Sequence, residues 1–485
     1  MKEEALLYRS GVPGVSRWEW GSADRLGSGG YSKVYRGKHS TRDHGAVAIK
    51  VFNNKYSVET FEREVDVLKA LRNVERTPVL LDYGRDEQDR LCIVTELISG
   101  EPLDRLVQKN GPLGLAAAKK MLQTLLSVLE KTHANGIVHT DIQAPNVMVS
   151  EGEYTLIDWG VSRDADGKAP ESVAANKATA APEFFHGRCG IASDFYSLAW
   201  TFIFAATGKW PYHRAQLESI QKRSYSILAH CFERPILPEE VPEAFHPLLY
   251  NWLSKEPEHR LVGYDLGELM RNAEGRISRA LEHQSFAQLS HEFSFDEVAA
   301  RQGVRYCQYH LALDLFKSSG REAEAIYWLR QASDQGMSKA MVKLATSLEK
   351  KPDVSIDDRE EAVLLLRQAA DLGNAQASYL LWKRLESYPQ WGGEQESVQC
   401  LTAAAEGGYR DAQYYRAMHL LKEGESSRAR CLLRKSAEQG YEKSLDYFRE
   451  ALGISEDNLP VLYNIVLSHG TDSKTTAKLV GGGKD

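Results

Sequence analysis

The stretch HTDIQAPN at His139 to Asn146, followed by DWG at Asp158 to Gly160, decides how this chain is read. It places a carboxylate, Asp141, ahead of a carboxamide, Asn146, with a second carboxylate, Asp158, shortly downstream. Carboxylate and carboxamide oxygens are the hard ligands that Mg2+ takes, and a loop carboxylate beside them can accept a hydroxyl proton. The pattern predicts a site that joins a hard cation to acid–base chemistry.

Working outward, GSGGYSKVYRG at Gly27 to Gly37 and VAIK at Val47 to Lys50 lie upstream, and APE at Ala181 to Glu183 lies downstream. Phosphoryl transfer asks for these parts: a phosphate cover, a cation for the phosphates, metal ligands, and a base near the acceptor hydroxyl. Gly27 and Gly29, on either side of Ser28, let the backbone approach phosphates closely, and Val34 is placed to pack on an adenine. Lys50, in a strand-like run, is expected to reach the α and β phosphates while a helix carboxylate holds it. Glu64 is the chosen partner, with Glu62 and Glu59 as alternatives in the helical pattern TFEREVDVLKAL. Asp141 is expected to orient the acceptor proton, and Asn146 and Asp158 to hold Mg2+. His139 and His133 have no metal-ligand spacing and are read as structural.

In this order the motifs resemble those of eukaryotic-like serine/threonine protein kinases over roughly residues 20 to 280. The resemblance implies an α+β bilobal fold, a small β-rich lobe before a larger helical one. MgATP would bind between the lobes, and its γ-phosphoryl would pass to a protein Ser or Thr hydroxyl. It places Ala48, Glu96 and Leu97 with Gly27, Ser28, Gly29, Val34, Lys50 and Glu64 around the nucleotide. It also implies that Asp194 lies on the helix anchoring the catalytic loop, and that Glu183 and Arg260 form a buried ion pair.

Two positions depart from the family pattern. Gln143, counted with Asp141 and Lys50 among the catalytic residues, stands where these kinases place a lysine that neutralises the γ-phosphate, and a neutral hydrogen bond is about half as strong as a charge-assisted one. Asn176 stands where the family has the substrate-side threonine that bonds this lysine and the base, and the double replacement predicts a Gln143–Asn176 pair. Thr140 replaces the arginine that clamps a phosphorylated activation loop, so switching through that arginine is unavailable. The alternative function is a pseudokinase scaffold that binds nucleotide without efficient transfer.

The final third repeats itself: WLRQASDQGMSKA from Trp328, LLRQAADLGNAQA from Leu365, CLTAAAEGGYRDA from Cys400 and CLLRKSAEQGYEKS from Cys431. Gly336, Gly373, Gly408 and Gly440 each precede a small residue four positions on (Ala340, Ala377, Ala412, Ser444). Glycine there ends one helix, and the small residue lets the next pack closely. This corner resembles Sel-one-like repeats, relatives of tetratricopeptide repeats, which implies an all-α solenoid recruiting protein partners or substrates. Trp328, Tyr379, Trp382 and Tyr414 are expected in its inter-helix core. The expected organisation is an N-terminal extension at 1–19, a kinase domain at 20–280, a helical linker at 281–304, repeats at 305–452 and a flexible tail at 453–485.

Composition narrows the function classes. With 485 residues, 42% of them hydrophobic, the chain exceeds a single core. A net charge of -7 leaves no basic excess for a phosphate backbone, so no nucleic-acid partner is expected. MKEEALLYRS lacks a signal-peptide pattern, which predicts a cytoplasmic protein, although secreted effectors also start this way. The apolar run LAWTFIFAA from Leu198 to Ala206 is too short to span a bilayer and is expected to be a core helix. The 6 cysteines include no C-x-x-C pair, which argues against structural zinc and a disulfide framework.

Overall fold

The computed structural model describes residues 7–8, 18–39, 45–53, 58–86, 90–165, 179–209, 227–233, 235–274, 295–350 and 353–452. A β-rich segment comes first, then a mainly helical one, followed by an all-α region of successive paired helices. Its strands begin with β1 (Leu7–Tyr8), β2 (Trp18–Glu19), β3 (Arg25–Ser28), β4 (Ser32–His39), β5 (Val47–Phe52), β6 (Leu80–Asp86) and β7 (Leu91–Glu96). They form one antiparallel sheet in the order β1-β6-β7-β5-β4-β2, with β3 paired to β4. The two-residue period of a strand sorts its side chains. Val47, Ile49 and Val51 join Trp18, Trp20, Cys92 and Val94 in the core, which turns Ala48 and Lys50 to the opposite face. Helix α1 (Val58–Ala70) buries Phe61, Val65 and Leu68 at helical spacing.

In the helical segment, α2 (Leu103–Asn110), α3 (Leu115–Ala134), α4 (Pro182–Phe185), α5 (Ile191–Thr207), α6 (His246–Trp252) and α7 (Leu266–Ala273) follow. The LAWTFIFAA run lies inside α5, which is buried on nearly every side. Gly208, at φ 67°, ends the helix by donating its N–H to the Phe204 carbonyl. Among the described residues no helix is long and apolar enough to cross a membrane. Short strands β9 (Ile137–Val138), β10 (Val147–Ser150), β11 (Glu153–Leu156) and β12 (Arg163–Asp164), with β8 (Glu101–Pro102) on β10, complete this segment. The β10–β11 hairpin and the β9–β12 pair pin both ends of the loops carrying Asp141 and Asp158.

Beyond them come α8 (Phe295–Arg301), α9 (Arg305–Leu315), α10 (Glu322–Asp334), α11 (Ser338–Leu348), α12 (Ile356–Asp371), α13 (Ala375–Ser387), α14 (Glu394–Glu406), α15 (Arg410–Lys422), α16 (Ser426–Glu438) and α17 (Glu442–Leu452). Successive helices pack on each other, α9 on α10 and each of α12 to α17 on its neighbour. The corner glycines 336, 373, 408 and 440 have φ between 75° and 84°, a conformation that glycine adopts at little cost. Their small partners Ala340, Ala377, Ala412 and Ser444 are fully buried.

The same corner occurs once more, at Gly303 (φ 85°) with fully buried Cys307 four positions on. The first corner therefore falls in the stretch read above as a linker. Much of that linker, 281–294, and the tail 453–485 lie outside the described residues. A buried polar device also repeats. Gln335 donates to Gln308 Oε1 (2.8 Å) and Gln439 to Gln413 Oε1 (3.0 Å), while Arg305 and Arg410 each donate to the backbone carbonyl of the corner glutamine. Each pair satisfies amides that burial would otherwise leave unpaired. Trp328, Tyr379 and Trp382 are buried between helices, and Tyr414 packs partly buried against the last core cluster.

Candidate active site

The glycine-rich turn between β3 and β4 is closed by Gly29 N–H donating to the Ser32 carbonyl (2.8 Å) and by Asn53 Nδ2 donating to Gly30 O (3.1 Å). A Cβ at Gly27 or Gly30 would meet no protein atom, so packing does not require glycine at either position. The surface above the turn is open to a ligand. In the ladder Val34 pairs with Lys50 and Ala48 with Thr95. Directly paired residues share a face, so Val34, Ala48, Lys50 and Thr95 line the side of the sheet away from its core. Glu96 closes β7 opposite Val47, exposed, and Leu97 follows half-buried.

Lys50 Nζ meets Glu64 Oε1 at 2.6 Å, with the Glu64 carboxylate almost wholly buried. Glu62 points outward to solvent, and the Glu59 side chain lies outside the described residues. Helix phase explains the outcome: Phe61, Val65 and Leu68 commit one face of α1 to the core, and Glu64 lies beside that face.

The loop carrying Asp141 hangs from Asp194, a fully buried carboxylate in the first turn of α5. Its Oδ2 accepts the His139 N–H and its Oδ1 the Thr140 N–H, both at 2.8 Å, and His133 Nε2 lies 2.9 Å from Oδ2. His133 Nδ1 lies 3.0 Å from the Tyr264 hydroxyl, so both of its nitrogens serve structure. His139 is fully buried, and burial lowers its basicity, which keeps the ring neutral. Its Nδ1 accepts the Asp141 N–H (3.2 Å), so the proton sits on Nε2, which donates to the Ile157 carbonyl (3.1 Å). One imidazole thus ties the Asp141 loop to the Asp158 turn.

Asp141 Oδ2 accepts from Gln143 Nε2 (2.8 Å) and Asn146 Nδ2 (2.9 Å), and Asn146 Nδ2 also donates to the Asp141 carbonyl (2.9 Å). With its NH2 group spent on Asp141, Asn146 turns its carboxamide oxygen the other way. Asp158 is solvent-exposed and sits at φ 63°, at the head of a turn whose Trp159 is buried against His139. The exposed Asp158 carboxylate and the Asn146 carboxamide oxygen are donors of the kind that suits Mg2+. Asn176, the expected partner of Gln143, lies outside the described residues; within them Gln143 donates to Asp141.

Glu183 and Arg260 form a bidentate ion pair, at 2.7 and 2.9 Å, with both side chains buried. Ser193, which no sequence signal singled out, donates its hydroxyl to Glu183 Oε1 at 2.6 Å. Burial by itself pushes the Glu183 carboxyl up, but Arg260 and Ser193 outweigh it and hold it below the ordinary 4.5. A folded value below the unfolded one gives stability that is full above 4.5 and lost as pH falls through the lowered folded value. The melting temperature is therefore expected to drop below about pH 4.5, and Glu183→Gln to flatten part of that slope in thermal scans across pH.

Residues 20–272, more than half of the chain, match the protein kinase domain family, and the chain belongs to that family. It is 27% identical over 275 residues to the serine/threonine-protein kinase PknD of Mycobacterium tuberculosis, an alignment covering 54% of this chain and 40% of PknD. It is 25% identical over 245 residues to the serine/threonine-protein kinase PknH of Mycobacterium bovis, covering 48% and 40%. With PknK of Mycobacterium tuberculosis it shares 28% over 265 residues, covering 53% of this chain and 24% of PknK. The chain thus spans well under half the length of these curated relatives.

Proposed function

We propose that this protein is an ATP-dependent serine/threonine kinase that transfers the γ-phosphoryl of MgATP to protein hydroxyls, and that its repeats recruit protein partners or substrates. The observation that carries the proposal is the 2.6 Å Lys50–Glu64 ion pair. It fixes an ammonium on the face of the sheet that also presents Val34 and Ala48, the arrangement a nucleotide triphosphate needs. Gly27, Ser28 and Gly29 cover the phosphates, and Glu96 and Leu97 meet the base. Asn146 and Asp158 hold Mg2+, which neutralises charge on the phosphates when bound.

Asp141 takes or orients the acceptor proton. Gln143 acts through Asp141: its amide donates to the carboxylate and fixes the carboxylate's rotamer, where a lysine would have offered the phosphate a charge. That exchange, with Asn176 in place of the substrate-side threonine, is what favours the scaffold alternative. The test is phosphosite mapping on a generic protein acceptor after incubation with MgATP, beside Lys50→Ala. Phosphoserine or phosphothreonine that requires Lys50 is the expected outcome. Nucleotide binding with no transfer would establish the scaffold instead.

A further inference from the structure

Thr140 has a conformation its side chain does not favour. Its φ is 64°, in the left-handed region, where a β-branched residue is a genuine outlier and glycine or asparagine fits more easily. The backbone is held there by the Thr140 N–H donating to Asp194. Conformation alone gives no reason for threonine, so the reason must lie in what its side chain reaches. The hydroxyl, buried with the residue, donates to the Val161 carbonyl at 2.8 Å.

Val161 is the first residue after the Asp158-Trp159-Gly160 turn. The turn is thus gripped at both ends by consecutive residues of the catalytic loop: His139 Nε2 on the Ile157 carbonyl before it, and Thr140 Oγ1 on the Val161 carbonyl after it. Between those grips Asp158 holds its own left-handed φ of 63° and stays exposed. Ser162 tightens the exit, its hydroxyl donating to the Trp159 carbonyl at 2.7 Å. Arg163 Nη1 also reaches Val161 O, at a longer 3.2 Å.

We propose that Thr140 is a positioning residue for the metal-binding turn: its hydroxyl, donated to the Val161 carbonyl, holds Asp158 ready for Mg2+ before any ligand arrives. This rests on the assignment of Asp158 as a metal ligand. A tether built from an uncharged hydroxyl needs no phosphate on the chain, so the turn is set whether or not nearby hydroxyls are phosphorylated.

The test titrates Mg2+ against wild type, Thr140→Val, Thr140→Gly and Thr140→Ser and reads ADP affinity by calorimetry. Amide hydrogen exchange of residues 158–162 is followed in nucleotide-free protein. Valine keeps the shape and removes the donor, glycine also relieves the left-handed strain, and serine restores the donor. Valine and glycine are expected to raise the half-saturating Mg2+ by about fivefold, the worth of one intramolecular hydrogen bond, and to speed exchange at Ser162. Serine should restore both, and Mg2+-free ADP affinity should be the same in all four proteins.

If the valine protein fails to fold, the glycine protein carries the same test, because a purely structural role predicts that it keeps wild-type Mg2+ dependence whatever its stability. Wild-type Mg2+ dependence and exchange in the glycine protein would overturn the proposal. Wild-type protein whose ADP affinity ignores Mg2+ would overturn the assignment of Asp158 beneath it, and the proposal with it.

Discussion

Asp141→Asn is expected to slow phosphoryl transfer by about 10²–10⁴-fold, the usual worth of a positioned general base, and to leave nucleotide affinity unchanged. The substitution is nearly isosteric. Asp141 Oδ2 now accepts from Gln143 and Asn146, and the carboxamide oxygen of an asparagine can accept from the same two amides. The loop keeps its suspension from Asp194, which reaches it through the His139 and Thr140 backbone. What is lost is the ability to take a proton from the acceptor hydroxyl. Single-turnover kinetics beside nucleotide titration would separate the two effects, and a matching loss of affinity would mean that the loop had moved.

The second large effect concerns stability. Arg260 donates to both oxygens of Glu183 and to the backbone carbonyls of Ser254, Ala192 and Lys255, and its side chain is fully buried. Arg260→Met fills a similar volume but leaves Glu183 as an uncompensated buried carboxylate, a change that costs about 3–5 kcal/mol. Several carbonyls lose donors as well. Total stability of a domain is on the order of 5–15 kcal/mol, so a large share goes at once. Urea unfolding should show the midpoint falling sharply, and Arg260→Lys should recover little, because an ammonium cannot make the bidentate contact. The double variant Arg260→Met with Glu183→Leu should regain much of the loss, since an apolar pair of similar volume can replace a buried ion pair.

The sequence made the chemistry of the site legible because phosphoryl transfer demands particular residue types in a fixed order. Lys50, Asp141, Asn146 and Asp158 could be singled out as candidates without coordinates for that reason. Glu64 was chosen over two rival glutamates, Glu62 and Glu59, and the choice turned on the phase of α1, which the buried Phe61 and Val65 set. The hydrogen bond from Gln143 to Asp141 was not legible at all. Loop geometry here is imposed by Asp194, more than fifty positions away in the chain, and no local pattern reports such a constraint.

The left-handed backbone of Thr140 was hidden for the same reason: a β-branched residue is the last place a sequence reader looks for positive φ. In the repeats, four corners were visible through Gly-x-x-x-Ala or Ser, whereas the fifth, at Gly303, was disguised by Cys307. Cysteine is small and apolar enough to take the buried position, but it does not match the pattern by eye.

The most direct measurement of the central claim is the intact mass of the purified full-length protein after incubation with MgATP, beside Asp141→Asn and Lys50→Ala. Added phosphate on serine or threonine in the wild type, absent from both variants, is the predicted result. Added AMP, or wild-type protein that binds ATP and remains unmodified while a generic acceptor also stays unmodified, would contradict it.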